Sequence, residues 1–481
     1  MGRMPAARQD FLYDRVSRHV LDLIEGGTLQ PGDRAPSLRG LSRQLRVSIS
    51  TVKQAYAELE ARGVLRVRPQ SGFYVNGLPQ PVAPVPRRRA VCCKPRRVRF
   101  GELFEEIFLL ANNPEIVPLG AAVPSPDLMP VKGLLRATRR AAGLHAGEAV
   151  DYCFPPGLLR LRRQIARRYA ELGIGVSPEE VVITSGATEA LTLALQTVAR
   201  RGDIVAVESP TYFSVLRLIE RMGLLAVEID TDPETGMDPD ALEMALETME
   251  VRAVLTVPHF SNPLGASMPE AAKRRIAELV AEHDVALIED DIYGDLYFEG
   301  ERPLPLRGFD EGGKVITCSS FSKTLAPGYR VGWVLAGSYL DDVLEWKQAT
   351  TSATASLTQL GVSEYLRSGE YERHLRRLRR AFRDQVERMR MLVARHFPKG
   401  TRITRPGGGF VLWVEMPRSA DCLEVFHRAL EEGISITPGI LFSATRRYRN
   451  FIRINCGHTW SREIERAVVR LGHIVARQCG D

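Results

Sequence analysis

No stretch of this 481-residue chain approaches the roughly eighteen uninterrupted apolar residues of a membrane span, and the opening MGRMPAARQDFLYDR lacks the apolar core of a secretion signal. The expectation is a cytoplasmic protein with no membrane partner. Cysteine is scarce and unpatterned: seven residues, at 92, 93, 153, 318, 422, 456 and 479, odd in number and without a CxxC pair or metal-ligand spacing. This argues against a disulfide framework and a zinc site, leaving reduced thiols and no metal. Acid is missing from residues 77–100, which carry 7 Lys+Arg and no Asp or Glu.

What is present suffices for full cores, with 44% hydrophobic residues, and the length suits two or three domains. The net charge of +7 is unevenly spread: residues 8–76 hold 11 basic and 7 acidic side chains, whereas residues 101–481 hold 46 and 51. A basic front on an acidic body points to a polyanion partner for the front alone, although a solvated basic tail gives the same excess.

Three short helical patterns open the chain. Leu12, Val16, Val20 and Leu23 or Ile24 recur at helical spacing; so do Leu38, Leu41 and Leu45 after Ser37, a suitable N-cap; Val52, Ala55, Tyr56 and Leu59 form a third stripe ending at Gly63. Only Arg46 to Ser50 join the second and third, the tight connection of a helix-turn-helix. With the third stripe facing a core, Ser50, Thr51, Lys53 and Gln54 face outward at the end that enters a major groove. VLRVRPQSGFYV then reads as a hairpin wing with Arg66 and Arg68 on one face. A small helical adaptor with a hairpin is the plainer alternative. Residues 77–100, with five prolines by position 95, read as a semi-extended spacer.

The run PGDRAPSLRGLSRQLRVSISTVKQAYAELEARGVLRVRPQSGFYV resembles the N-terminal domain of the GntR family of bacterial transcription regulators, over residues 8–76. The resemblance implies double-stranded DNA as a partner, contacted by Arg39, Ser50, Thr51 and Gly72; the facing argument adds Lys53. Ile49 departs from the family, in which many members carry Arg at that position.

From about residue 115, apolar β-rich runs alternate with helical stretches: VVITS at 181, IVAVES at 204, LLAVEID at 224, AVLTVPHF at 253, DVALIED at 284, KVITCSS at 314 and VGWVLAG at 331. Runs apolar on both faces predict a mostly parallel sheet covered by helices, with ligands beyond the carboxyl ends of its strands. Gly186, Ala187 and Thr188 open a helix there and make an anion cradle. Tyr212, Asn262, Asp290 with Tyr293, and Lys323 with Ser320 and Arg330 follow later runs. A lysine at a strand end is poorly explained as an idle ammonium, and a buried carboxylate wants a cation. Together they supply what pyridoxal phosphate chemistry requires: a Schiff-base lysine, a carboxylate for the ring nitrogen and a phosphate cradle.

Residues 115–477 resemble the class I/II aminotransferases of fold type I, a large α/β domain with a small C-terminal α+β subdomain. The resemblance implies Lys323 as the catalytic Schiff-base lysine, Asp290 on the pyridine nitrogen, and Asn262 and Tyr293 on the ring oxygen. Tyr212 would stack on the ring, while Gly186, Ala187, Thr188, Ser320 and Arg330 would hold the phosphate. Tyr152, in DYCFPPGLLRLRRQIA, would reach the phosphate of a neighbouring subunit, which implies a homodimer. Arg453, in FIRINCG, would grip a substrate α-carboxylate, with Gly120 joining it in substrate binding. Ser261 stands where Gln is common before Asn-Pro.

The order of winged helix at 8–76, basic linker at 77–114 and transferase domain at 115–477 resembles the MocR subgroup of GntR regulators. It implies a pyridoxal-phosphate-binding transcription factor whose large domain dimerises and senses an amino compound or the cofactor. The alternative is a working amino-acid aminotransferase carrying a DNA-binding domain.

Overall fold

The computed structural model describes residues 12–25, 28–30, 32–61, 63–68, 71–76, 83–91, 94–99, 101, 103–110 and 113–480. The chain divides into two compact units, residues 1–82 and 83–481.

In the first unit α1 (Leu12–Glu25), α2 (Leu38–Leu45) and α3 (Ile49–Ala61) precede a hairpin of β1 (Leu65–Arg68) and β2 (Gly72–Val75). The expected stripes pack as one core: Val16, Val20, Ile24, Leu41, Val52, Ala55, Tyr56 and Leu59 are buried with Val64, Leu65 and Val75. Leu12 is the exception; it opens α1 and stays exposed. The antiparallel register pairs Leu65 with Val75 and Arg68 with Gly72, as the wing reading requires.

The second unit begins with a strap, residues 83–99, whose β3 (Arg96–Arg97) pairs with the large sheet, followed by α4 (Leu103–Leu110). The expected spacer of residues 77–114 is therefore part of the large unit over its described residues from 83 onward. Residues 77–82, 92 and 93 lie outside the described residues. Next come β4 (Val117–Pro118), α5 (Val131–Leu144), α6 (Ala146–Val150), α7 (Leu159–Ala170), β5 (Val181–Thr184), α8 (Ala187–Val198), β6 (Ile204–Ser209) and α9 (Phe213–Met222). β7 (Leu225–Asp232), β8 (Gly236–Met237), α10 (Pro239–Thr248), β9 (Val251–Thr256), α11 (Glu270–Glu282), β10 (Ala286–Asp290), β11 (Val315–Ser320) and β12 (Gly332–Leu335) complete the large sheet.

Its strand order is β3-β7-β6-β9-β10-β11-β12-β5, with β8 on β7. β7, β6, β9, β10 and β11 are parallel neighbours, whereas β12 runs antiparallel to both β11 and β5. The VGWVLAG run is thus the opposed strand of a mostly parallel sheet. The strands are buried almost without a break, because helices cover both faces; Val182, Val207, Leu255 and Ile288 pack on one face and Ala206, Val254, Leu287 and Val315 on the other.

After α12 (Leu340–Thr350) and α13 (Ser356–Arg367), the long α14 (Glu370–His396) leads into a small subdomain. There β13 (Arg402–Ile403), β14 (Val411–Glu415), β16 (Thr437–Pro438) and β17 (Phe451–Asn455) form an antiparallel sheet, while β15 (Ile434–Ser435) pairs with β4. Helices α15 (Cys422–Glu431) and α16 (Arg462–Cys479) cover it. Trp413, Phe426, Phe442 and Phe451 are buried in its core. Among the described residues no helix is long and apolar enough to cross a membrane, and no His, Cys, Asp and Glu cluster could hold a metal ion.

Candidate functional site

In the front unit Ser48, which the sequence reading passed over, sets the start of α3. Its Oγ accepts from the Thr51 backbone N–H at 3.1 Å and lies 2.7 and 2.8 Å from the Ser50 and Thr51 hydroxyls. Burial of Val52, Ala55, Tyr56 and Leu59 leaves Ile49, Ser50, Lys53 and Gln54 exposed and Thr51 half-buried. The Tyr56 hydroxyl donates to the Pro36 carbonyl at 2.7 Å, which ties α3 to the turn before α2. Ser37 caps α2 as its position predicts, accepting from Gly40 N–H, and Arg39 is exposed on the first turn. In the wing, Gly72 has φ +104°, a conformation that side chains rarely adopt, and Arg66 is exposed. The side chain of Arg68, with Pro69 and Gln70, lies outside the described residues.

In the large unit a cavity of about 100 Å³ at the strand ends brings together Ala187, Thr188, Tyr212, Asn262, Asp290, Tyr293, Ser320, Lys323 and Arg330. Leu191, Val257, Ile292 and Ser322 also line it. Tyr152 does not: it is exposed and stacks on Phe154, ring centroids 5.4 Å apart. Gly120 meets Arg453, whose Nη2 donates to the Gly120 carbonyl and, at 2.8 Å, to Thr437 Oγ1, while Nη1 donates to Asn262 Oδ1 at 3.0 Å. Arg453 is fully buried, near the rings of Phe442 and Phe213, with Nε unpartnered. Burial draws its pKa down to about 10. A buried cation whose partners here are a carbonyl, a hydroxyl and an amide oxygen is one that an anionic ligand would complete.

Lys323 Nζ donates to the Ala122 carbonyl at 2.7 Å. Burial first, then the nearby Arg453 charge, lowers its pKa to about 8, so an appreciable neutral fraction exists near neutral pH. Asp290 is buried with Oδ1 unpartnered, and burial followed by the Asp291 charge raises its pKa to about 7. At the start of α8, Gly186 has φ +88°, and a Cβ there would lie 2.5 Å from Arg330 Nη2. Arg330 reaches in at left-handed φ +52° and donates to the Ser185 carbonyl at 2.8 Å.

These features fit pyridoxal phosphate. The orphaned Asp290 oxygen suits a protonated ring nitrogen, Lys323 supplies the amine, and Gly186 leaves the space beside Arg330 and the α8 N-terminus that a phosphate needs. Ala122, Ser185 and Thr437 were missed because their part is played by a backbone carbonyl or a single hydroxyl, which no sequence pattern marks.

Asp290 also makes cofactor-free stability depend on pH. Its folded pKa of about 7 exceeds the unfolded 3.8, so its contribution is present below about pH 4 and lost as pH rises through 7, a change on the order of 4 kcal/mol. Glu208 and Glu289, also buried, are shifted upward as well and share the slope. Urea unfolding of cofactor-free Asp290→Asn and wild type at pH 5 and pH 8 isolates its part: the variant should gain on wild type at the higher pH.

The fold and this cavity define a fold type I transferase body joined to a winged helix. Residues 115–471 match the family Aminotransferase class I and II, and residues 12–75 match bacterial regulatory proteins of the gntR family. The chain is 37% identical over 466 residues to the uncharacterized HTH-type transcriptional regulator YjiR of Escherichia coli, spanning 97% of this chain and 99% of that protein. It is 34% identical over 372 residues to the 2-aminoadipate transaminase of Thermus thermophilus, spanning 76% and 92%. The solved structure of LysN, an α-aminoadipate aminotransferase from the same organism, superposes with a TM-score of 0.73 at 31% identity over 80% of this chain and 96% of that one. The chain belongs to the aminotransferase class I and II family and carries a gntR-family domain at its front, the MocR-type arrangement. That family and these structural neighbours are pyridoxal-phosphate-dependent.

Proposed function

We propose that this chain is a cytoplasmic, homodimeric transcription regulator. Its front unit binds double-stranded DNA, and its cavity binds pyridoxal 5'-phosphate, with an amino compound or the cofactor itself as effector. The observation that carries this reading is the presence in one chain of an exposed, capped recognition-helix start and of a cavity whose buried Asp290 has an unpartnered oxygen. Exposed Val150, Tyr152, Phe154 and Leu144 form the kind of apolar surface that a second copy covers, which supports the dimer.

Bound pyridoxal phosphate supplies an aldehyde that captures amines and a ring that draws electrons from the captured carbon. Lys323 offers the attaching amine. Asp290 keeps a proton at the ring nitrogen. Arg330 and the first N–H groups of α8 take the phosphate, while Arg453 orients a ligand carboxylate by a two-pronged hydrogen bond. The same set supports the aminotransferase alternative, which needs the same groups.

Footprinting on the DNA upstream of its own coding region, with and without pyridoxal phosphate, tests the regulator reading. Protection at low salt that changes with the cofactor is expected; absence of protection there would count against it. Binding should weaken with salt at a log–log slope of about −0.9 per phosphate contact. Lys53→Ala should cost about 1–3 kcal/mol if the amine reads a base, and less if it touches phosphate alone. At position 49 the exposed isoleucine favours a thymine methyl, so selection from random duplexes should yield a T there that Ile49→Arg converts to G.

A further inference from the structure

The strap that leads from the front unit into the large one is fastened alternately to the two halves of the ligand-binding body. Pro84 and Val85 offer their carbonyls to Ile403 N–H at 2.9 Å and to Arg402 Nη1 at 3.3 Å, both on β13 of the small subdomain. Arg88 then turns to the large sheet and bridges Asp230, on β7, at 3.3 Å and Asp238, the N-cap of α10. Arg89 returns to the small subdomain. It pairs with Glu415 at 3.0 Å and Asn450 at 3.1 Å, and its guanidinium lies 4.5 Å from the centre of the Phe451 ring. The Ala90 carbonyl accepts from Arg447, and Val91 N–H donates to Asp230. Arg96 and Arg97 then add to the edge of β7, and Val98 is buried in the sheet's core.

Two consecutive arginines thus hold opposite halves of the body. The half held by Arg89 includes the strand that serves the ligand: Phe451 beneath Arg89 and Arg453, which donates to the cavity-lining Asn262, are two residues apart on β17. On the other side, β7 carries Asp230, which holds Arg88 and Val91, and Glu228, whose carboxylate accepts from Ala444 N–H and Thr445 Oγ1 in the small subdomain. A shift of β17 relative to β7 of an ångström or two would break one arginine's contacts while leaving the other's, because neither side chain reaches both halves.

We propose that residues 83–91 are a clasp through which occupancy of the Arg453 site is coupled to the tether of the DNA-binding unit. A ligand bridging the large-sheet cavity and Arg453 changes the spacing of the two subdomains, and the clasp holds well at one spacing only. The coupling is a free energy and acts in both directions, so opening the clasp must change ligand affinity even with no DNA present. The proposal rests on the reading of the cavity as a pyridoxal phosphate site.

The test uses the full chain and N-(5'-phosphopyridoxyl)-L-leucine, a stable compound that presents the cofactor and a carboxylate together. Its Kd is measured by calorimetry for wild type, for Arg88→Ala with Arg89→Ala, and for Arg89→Lys, alongside hydrogen exchange of residues 83–99. In wild type the compound should alter exchange across residues 83–91, and the double variant should shift Kd by about fivefold or more, within the usual range of allosteric coupling. Arg89→Lys, which keeps the charge but loses the fork and the flat stacking face, should fall between. Matching circular dichroism and thermal transitions show that the variants fold; if the double variant does not, Arg89→Lys and wild-type exchange carry the test. A Kd unchanged within twofold in a folded variant whose strap exchanges freely would overturn the clasp while leaving the cofactor reading intact. A wild-type chain that binds neither this compound nor pyridoxal phosphate overturns the cofactor reading, and the clasp with it.

Discussion

Borohydride reduction of the protein loaded with pyridoxal phosphate should fix the pyridoxyl group on Lys323 and abolish the loaded protein's visible absorption band. Lys323→Ala should show neither the band nor the adduct. Lys323 lines the strand-end cavity, half-buried, and desolvation there lowers its pKa to about 8 and leaves a neutral, nucleophilic amine near physiological pH. The other cation in the lining is the Arg330 guanidinium, which stays protonated and cannot form the link. The variant should still bind the cofactor weakly, since Arg330, the α8 N-terminus and Asp290 are untouched. Mass spectrometry locating the adduct on another lysine would sink the assignment.

The second large effect is expected at Arg453. Removing it should cost about 2–5 kcal/mol in the affinity of a carboxylate-bearing ligand, ~30-fold to several thousandfold, because the ligand's anion would be left buried without its fork. Cofactor binding alone should change far less, since Arg453 donates to Asn262, Thr437 and Gly120, away from the α8 cradle. Arg453→Lys, which keeps a cation but not the two-pronged geometry, should lie between. The same variant separates the two functional readings. A regulator loses the ligand-dependent part of its DNA affinity and keeps the rest; an aminotransferase loses turnover. Turnover near the ~10 s⁻¹ typical of enzymes on an ordinary amino acid, with DNA affinity indifferent to ligand, would favour the second.

How far these sites were legible in the sequence depended on how local their cause is. The stripe of Val52, Ala55, Tyr56 and Leu59 reports its own burial, so the outward face with Ser50 and Lys53 could be read from spacing alone. The apolar runs on β6, β9, β10 and β11 announced a covered sheet, and the polar residues at their ends announced the cavity. The direction of β12 was hidden, because an opposed strand buried on both faces looks like its parallel neighbours. The strap was hidden more deeply. Prolines and arginines without acid read as a semi-extended spacer, and the groups that hold Arg88 and Arg89, Asp230, Asp238, Glu415 and Asn450, lie far along the chain where no local pattern links them. Tyr152 shows the same limit: its motif is plain, but within one chain its ring stacks on Phe154 and is exposed.

The close approach of Gly186 and Arg330 also ties two distant positions into a single inherited choice. Since a methyl group at 186 would collide with the Arg330 guanidinium and would sit at φ +88°, a side chain there requires both that the arginine be shortened or swung away and that the turn into α8 relax. A descendant that abandoned the phosphate would be released from both requirements at once, and loss of the arginine would remove one of the two barriers to a side chain at 186. Glycine and arginine lost together, in a chain that keeps its winged helix, would therefore mark a regulator that has stopped listening through a cofactor.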